Sequence, residues 1–174
     1  MKILLQSVFL LLLQQTAVAQ NTAFNTGPVF SEFGAHAAVE QTTPLKPNSP
    51  FKIAYDVAKK ADASQRNRHM ESAARFINMQ VAAGVQADDI ELAIVVHGQA
   101  VKDVLKPTDG TQATPQMKMI TEMIEHGVRF YVCGQSAAYY QVKSEDLLPG
   151  VSMSLSAMTA HAQLQQQGYT LNPF

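Results

Sequence analysis

Residues 128–134 read Val-Arg-Phe-Tyr-Val-Cys-Gly, and the fold can be worked out from this stretch. β-Branched and aromatic residues fill it as far as Cys133, which predicts a strand over 128–133 that ends at Gly134. Residues 91–97, Glu-Leu-Ala-Ile-Val-Val-His, form a second such run before Gly98. Its nearly continuous apolar character is typical of a buried strand in a parallel sheet.

The flanking sequence alternates between strand and helix signals. Residues 51–57 alternate in polarity as a strand does. Apolar residues at helical spacing predict a helix over 65–83, and Thr114 followed by Pro115 marks the start of another that runs to about His126. The remaining predicted elements are a short helix over 135–140, a brief strand over 151–153, a helix over 156–167 and a terminal strand over 169–171. This order predicts right-handed β-α-β units, and hence a three-layer α/β/α fold with a mostly parallel sheet of about five strands.

The first residues have the pattern of a cleavable secretory signal peptide. Lys2 precedes the apolar residues 3–13, and the small-residue pattern Ala-Val-Ala follows at 17–19. This A-x-A pattern predicts that residues 1–19 are removed and that the mature chain begins at Gln20. The apolar stretch is too short for a membrane anchor, which needs about 20 residues, and a buried helix would not need the A-x-A end. We therefore expect a bacterial protein that is periplasmic or secreted, without membrane attachment after cleavage.

The rest of the sequence predicts one domain preceded by an arm. Residues 20–50 hold four of the eight prolines among many polar residues, which indicates an extended arm or loose hairpin lying on the domain. Residues 51–174 are assigned to the domain, and their number suits a single hydrophobic core. The chain has 13 basic and 14 acidic residues without a basic patch, so we do not expect nucleic acid as a partner.

Cys133 is the candidate reactive residue. It is the single cysteine of the chain, so it cannot form an intrachain disulfide. Its predicted place is the end of a strand and the start of a short helix, where backbone N–H groups and the helix dipole favour the nucleophilic thiolate. The alternative is a buried structural cysteine, since free cysteine is among the most buried residue types.

Two further polar residues lie near predicted strand ends. His97 ends the strand over 91–97, and Asp56 lies near the end of the strand over 51–57. Ligands of open α/β sheets bind beyond the carboxyl ends of the strands, so neighbouring strands would place both residues on one rim with Cys133. His97 could orient or activate the thiol. It could also be a hydrogen-bonded core or rim residue.

No motif predicts a cofactor or a metal. The methionines lie mostly on predicted helices, as core residues do. Cys133 and His97 supply too few ligands for a closed zinc site, which takes four. Dinucleotide-binding, P-loop and nucleophile-elbow patterns do not occur. Metal-binding spacing is also absent from the other histidines, which are His36, His69, His126 and His161.

Three segments resemble the DsrE/DsrF-like family. They are residues 94–98 (Ile-Val-Val-His-Gly), 128–138 (Val-Arg-Phe-Tyr-Val-Cys-Gly-Gln-Ser-Ala-Ala) and 146–151 (Asp-Leu-Leu-Pro-Gly-Val). The resemblance covers about residues 51–172. It implies a flavodoxin-like fold and assembly of copies of the chain into dimers, trimers or hexamers. The family's best-understood members relay sulfur as a persulfide on a cysteine that follows the corresponding strand, and Cys133 falls at that position.

The sequence departs from the family pattern at two places close to Cys133. The relay proteins usually have an Arg-Gly pair where this chain has Tyr140 and Gln141, and some relatives have a second cysteine where it has Ser136. The chain therefore lacks a cation that could stabilise a persulfide anion, and it lacks a resolving thiol. The rim around the site is expected to include Asp56, Gly98, Gly134, Gln135 and Ser136.

Two functions stay open at this point. In the first, the protein is a periplasmic sulfur carrier or sulfurtransferase-like protein in which Cys133 accepts sulfane sulfur and His97 tunes or shields it. Its partner would be a sulfur donor or acceptor protein, or a small sulfur compound. In the second, it is a non-catalytic module that binds a small molecule at the rim or serves in an assembly, and Cys133 is structural. A thiol closed off from solvent would favour the second.

Overall fold

The computed structural model describes residues 23–46, 49–62, 65–108 and 111–172. The predicted signal peptide, residues 1–19, lies outside the described residues. None of the helices within these ranges combines the length and the apolar character needed to cross a membrane.

The described ranges contain seven strands and four α-helices. In chain order the strands are β1 (Phe24–Asn25), β2 (His36–Ala37), β3 (Phe51–Val57), β4 (Ile90–Val96), β5 (Arg129–Cys133), β6 (Val151–Ser154) and β7 (Thr170–Asn172). The helices are α1 (Arg68–Ala82), α2 (Pro115–Glu125), α3 (Gly134–Tyr139) and α4 (Ala157–Gln166). Short 3₁₀ segments occur at Ala87–Asp89, Gly98–Val104 and Ser144–Asp146.

Five strands form one sheet in the order β6-β5-β4-β3-β7, and each neighbouring pair is parallel. From β3 to β6 the chain adds strands in one direction, through α1, α2 and α3 in turn. It then reverses through α4 and places β7 beside β3. Because crossovers between parallel strands are right-handed, the reversal puts α4 on the opposite face from the other helices. The predicted three-layer α/β/α fold is thereby confirmed.

The side chains of β4 show how the two faces are filled. Leu92, Ile94 and Val96 point into the larger core, which also contains apolar residues of α1, α2 and α3. Ala93 and Val95 point the other way, into a smaller core beneath α4. Alternation along a strand therefore assigns every side chain of the sheet to the α1 side or to the α4 side.

The helix boundaries follow from capping residues. Helix α1 starts at Arg68, three residues after the start predicted from apolar spacing, because the Asn67 side chain accepts hydrogen bonds from the N–H groups of His69 and Met70. Helix α2 starts at Pro115 with Thr114 as its N-cap, as predicted.

The segment ahead of the sheet folds back onto α1. Strands β1 and β2 pair antiparallel, and the loop between them inserts Phe30 and Phe33 into the larger core. Asn78 of α1 is fully buried and hydrogen-bonds the backbone of this loop. The main core therefore includes residues of the predicted arm.

Candidate functional site

Cys133 is both the last residue of β5 and the N-cap of α3. The turn that it occupies is tight. A Cβ atom on Gly134 would lie 2.6 Å from the backbone oxygen of Ser154, closer than real atoms approach. Glycine at 134 thus lets the end of β6 lie directly against the start of α3.

The location is a topological switch point of the sheet. After β5 the chain enters α3 on the α1 side, and after the neighbouring β6 it enters α4 on the other side. The two connections therefore diverge beyond the carboxyl ends of β5 and β6. In open α/β sheets, ligands bind at such switch points. Cys133 lies at this switch point, which is where the sequence predicted a functional residue.

Burial and nearby donor groups have opposite effects on the pKa of the Cys133 thiol. Burial acts to raise its pKa, because desolvation disfavours the thiolate. The hydroxyl and backbone N–H of Ser136 and the N–H groups of Ala157 and Gln135 act in the opposite direction, and together they hold the pKa below its usual value. Ala157 is the first residue of α4, so both diverging helices direct N–H groups at the sulfur.

Ser136 connects the thiol to the neighbouring strand connection. Its hydroxyl oxygen accepts a hydrogen bond of 3.0 Å from the N–H of Gly98, the first residue after β4 and His97. Gln135 reaches the other way, and its Nε2 donates to the backbone oxygen of Leu155 at 3.2 Å. The predicted rim residues Gly98, Gln135 and Ser136 therefore lie around Cys133.

Asp56 and His97 form a second group on the same edge of the sheet. Asp56 Oδ2 lies 2.9 Å from His97 Nε2, and Asp56 Oδ1 lies 2.8 Å from Nε2 of His161 on α4. Partial burial acts to raise the pKa of Asp56. The hydrogen bonds and charges of the two imidazoles lower it by more, so the pKa lies below its ordinary value.

His97 is held on the side of β4 that faces away from Cys133. Its hydrogen-bond partner Asp56 belongs to β3, whereas Cys133 belongs to β5, and β4 lies between those strands. In the described part of the chain, His97 and Cys133 thus lie at one edge of the sheet without a hydrogen bond between them. A tuning role of His97 toward the thiol stays a prediction.

His161 is the site residue that the sequence did not reveal. It is separated from Asp56 by 105 positions, and nothing in the local pattern of α4 marks it. Only the crossing of α4 over the sheet brings it to the carboxylate. Within the described ranges, no group of three or more His, Cys, Asp and Glu side chains is arranged to hold a metal ion.

Comparison of the sequence with models of known protein families identifies the family of this chain. The model of the DsrE/DsrF-like family matches residues 52–173. The chain belongs to the DsrE/DsrF-like family. That membership gives this DsrE-like chain a fold related to sulfur-relay proteins, as the resemblance implied.

Solved structures show the same DsrE-like fold at low sequence identity. A protein of unknown function from Methanobacterium thermoautotrophicum, MTH1491, is 16% identical with a TM-score of 0.55. The ychN protein from E. coli is 13% identical with a TM-score of 0.54. Each match covers 71% of this chain and 99% of the other. No curated protein matches the chain.

Proposed function

We propose that this protein is an exported DsrE-like sulfur carrier in which Cys133 accepts sulfane sulfur as a persulfide. The observation that supports this most is the thiol's position at the switch point between α3 and α4, where N–H groups of both helices and the Ser136 hydroxyl favour the thiolate. These donors favour an anionic sulfur, and both the thiolate and the persulfide anion are anionic sulfur species.

The loading step is a nucleophilic transfer without a separate oxidant. The Cys133 thiolate attacks the outer, sulfane sulfur of thiosulfate or of a polysulfide. A new S–S bond forms to Cys133 while the original S–S bond breaks, and sulfite or the shortened polysulfide leaves with the bonding electron pair. Passing the outer sulfur to an acceptor thiolate reverses the same exchange, so no electrons are gained or lost overall.

The site has a weaker positive electrostatic field than a site with the family's Arg-Gly pair, because Tyr140 and Gln141 replace that pair. Tyr140 stands at the position of the arginine, and its ring faces the Lys102 ammonium at 4.7 Å from the ring centroid. Stabilisation of anionic sulfur therefore falls to the helix N–H groups and to Ser136. With no cysteine at 136, the transferred sulfur would leave only to a thiol of another molecule.

A specific observation favours a second function. Cys133 is only 6% exposed, and a thiol with so little access suits a structural residue in a non-catalytic binding or assembly module. In that case the N–H groups and the Ser136 hydroxyl near the thiol would stabilise the turn and would have no chemical role.

Mass spectrometry of the intact protein distinguishes the two functions. After incubation with thiosulfate or polysulfide, the carrier gains the mass of one sulfur atom, and dithiothreitol removes it. Cys133→Ser is the control and should gain nothing. An unchanged mass for the folded wild-type protein would favour the module.

Export is the second part of the proposal, and it rests on the sequence of residues 1–19. Expression in a bacterium followed by fractionation should release a protein that begins at Gln20 from the periplasm. The matched variant carries Ala17→Asp and Ala19→Asp, which should block cleavage. A wild-type protein that stays in the cytosol with its first residues intact would contradict export.

A further inference from the structure

The Asp56 carboxylate joins two separate connections of the chain at the edge of the sheet that carries Cys133. Its Oδ2 lies 2.9 Å from Nε2 of His97, which follows β4, and its Oδ1 lies 2.8 Å from Nε2 of His161 on α4. A carboxylate has acceptors only, so Nε2 carries the proton in both imidazoles and both rings donate. Asp56 thus fixes the connection after β4 and the first half of α4 relative to β3.

Asp56 and Cys133 point to the same face of the sheet. Ala54 and Tyr131, which lie two residues before them on β3 and β5, both belong to or pack against the core beneath α4, and side chains two residues apart on a strand share a face. One strand separates β3 from β5, so they are about 10 Å apart. An effect of Asp56 on the thiol through hydrogen bonds therefore has to pass through other residues.

The first path runs through the connection after β4. Asp56 holds the imidazole of His97, and the next residue is Gly98, whose N–H donates to Ser136 Oγ at 3.0 Å. This turn has little freedom, because Gly98 has a φ of +54° and a Cβ atom there would lie 3.0 Å from the backbone oxygen of the residue after β3. The Ser136 hydroxyl is one of the groups that favour the thiolate.

The second path runs through α4. His161 lies about one helical turn after Ala157, whose N–H also favours the thiolate. Packing alone holds this helix weakly, because only Ala160 and Leu164 of its ten residues are buried, and both belong to the smaller core. The His161 side chain is 16% exposed. Its hydrogen bond to the carboxylate therefore supplies much of the attachment that keeps the Ala157 N–H in place.

We propose that Asp56 and His161 are positioning residues for the thiol of Cys133. The carboxylate and the imidazole hold the two connections whose donor groups favour the thiolate, and they act on the sulfur through those groups. The inference deepens the proposed function, on which its meaning for sulfur transfer rests. The thiolate itself can be measured by alkylation, without any sulfur donor.

The experiment compares two replacements of His161 in the full chain. His161→Leu removes the hydrogen bond to Asp56, whereas His161→Gln keeps an N–H donor for the same carboxylate. The alkylation rate of Cys133 with iodoacetamide is measured from pH 6 to the high-pH plateau, and the rate at pH 7 is divided by the plateau rate. This ratio reports the thiolate fraction, because a change in access alters both rates alike. We expect it to fall about three- to tenfold in His161→Leu and less than about twofold in His161→Gln.

Asp56→Asn tests both paths, since an asparagine side chain can accept from only one imidazole Nε2–H. Loss of the negative charge by itself favours the thiolate, so the measurement is made in 1 M potassium chloride, where the Debye length is about 3 Å. In that salt the ratio should fall about three- to tenfold. Circular dichroism checks the fold of each variant. If His161→Leu does not fold, His97→Leu replaces it, because the His97 side chain is 32% exposed, and it should lower the ratio as well.

Gln165→Leu is the matched control, because it places leucine at an exposed position of α4, and it should leave the ratio unchanged. Three results would overturn the proposal. The first is a wild-type ratio in His161→Leu or Asp56→Asn. The second is an equal fall in His161→Leu and His161→Gln, which would show that the hydrogen bond is not responsible. The third is an equal fall in Gln165→Leu, which would indicate a general loosening of α4. A wild type that takes up no sulfur but shows the expected ratios would count against the sulfur carrier and support the positioning role.

Discussion

The Cys133 sulfur is subject to two opposing influences that no sequence pattern could have weighed. Its burial favours the neutral thiol, and the N–H groups and hydroxyl aimed at it favour the thiolate. The donors prevail, and the pKa lies below its usual value. The sequence predicted the start of α3, whose N–H groups contribute to the lowered pKa. It did not predict the second set of donors, because Ala157 reaches the thiol only through the packing of α4.

The first prediction concerns the rate at which Cys133 is alkylated. Because its pKa is lowered, the rate with iodoacetamide should reach its half-maximum at a lower pH than for free cysteine. Ser136→Ala removes the hydroxyl donor and should raise the pKa. The rate at pH 7 should then fall by up to about tenfold, as expected for the loss of one hydrogen bond to a charged group.

Two variants control this measurement. Cys133→Ser gives the blank, and Ser152→Ala removes an exposed hydroxyl from β6 without touching the thiol. A Ser136→Ala profile that superimposes on the wild-type profile would show that the hydroxyl does not stabilise the thiolate.

A second prediction concerns Asp56 and the pH dependence of stability. Its pKa is lowered in the folded state from the ordinary value of 3.8, so the folded chain favours the carboxylate. This contribution is complete above about pH 5 and is lost as the pH falls through the lowered pKa. Asp56→Asn should therefore reduce the unfolding free energy more at pH 6 than at pH 3.

Urea unfolding at both pH values measures this contribution. Asp56 is 40% exposed, so solvent screening should limit its effect to ~1 kcal/mol or less. Asp88→Asn replaces an exposed aspartate and serves as the control for general charge effects. The same stability loss at pH 3 and pH 6 would mean that the hydrogen-bonded carboxylate is not its source.

Among the elements, the loop between β1 and β2 is bound to α1 mainly through the Asn78 side chain, and Glu71 and Arg75 add one hydrogen bond each. Asn78 Oδ1 accepts from the N–H groups of Val29 and Phe30, and Nδ2 donates to the backbone oxygens of Phe30, Phe33 and Gly34. A buried loop needs such partners for its backbone, and this amide supplies them. A polar residue in the middle of a predicted helix gave no sign of that role.

The third prediction follows from these hydrogen bonds. Asn78→Ala should lower the unfolding free energy by ~3 kcal/mol, since several buried backbone groups lose their partner at once. It should also speed proteolysis within residues 26–35, because this loop loses most of its hydrogen bonds to α1. Asn25→Ala, at an exposed position of β1, is the control. A loss below about 1 kcal/mol would show that water replaces the amide.

The end of α3 carries a residue in an unfavourable conformation. Gln141 has a φ of +57°, which costs a residue with a side chain about 1–2 kcal/mol. The family resemblance places the glycine of the Arg-Gly pair at this position, and glycine adopts a positive φ without this cost. The departure noted in the sequence therefore has a physical consequence for the stability of this turn.

The fourth prediction is that Gln141→Gly stabilises the protein. Relief of the strained φ is partly offset by the greater freedom of glycine in the unfolded chain, so we expect a gain of about 0.5–1 kcal/mol in urea unfolding. Gln163→Gly, at an exposed position inside α4, should instead lose about 1 kcal/mol. A loss at both positions would show that the turn at Gln141 is not strained.

For the whole molecule, the sequence predicted what depends on local pattern. Strands β3 to β7 and the four helices lie within a few residues of their predicted positions, because apolar alternation and capping residues act over short distances. The pairing of Asp56 with His161 and the insertion of Phe30 depend on packing between distant segments. No single segment carries that information.

The candidate site likewise combines residues that the local sequence could predict with contacts that depend on the packing of distant segments. Cys133, His97 and Asp56 could be predicted to share one edge because each lies at or near the end of a strand, and parallel strands end at one edge. The direction of His97 toward β3 could not be found, since it depends on the side-chain conformation and on the carboxylate beside it.

The remaining prediction is that copies of the chain associate through the β6 edge of the sheet. The family resemblance implies assembly, and the surface of this edge is consistent with it. β6 is one of the two edge strands. Met153, Leu155 and Met158, at its end and at the start of α4, are 36%, 72% and 79% exposed. Apolar side chains gathered at an edge strand favour contact with another protein surface.

Sedimentation at micromolar concentration should show at least a dimer for the wild type. Leu155→Glu combined with Met158→Glu places two charges on this surface and should shift the protein toward monomer by at least tenfold in the dissociation constant, since charges are costly in an interface core. Leu171→Glu adds a charge to β7 at the opposite edge and should leave the association unchanged. If Leu171→Glu dissociates the protein while the double variant does not, copies meet at the β7 edge. A monomeric wild type would set this member apart from the family's mode of assembly.

Association at the β6 edge would also reduce access to Cys133, because Leu155 and Met158 lie on either side of Ala157, whose N–H lowers the pKa of the thiol. Alkylation of Cys133 should then be slower in the assembled wild type than in the double variant.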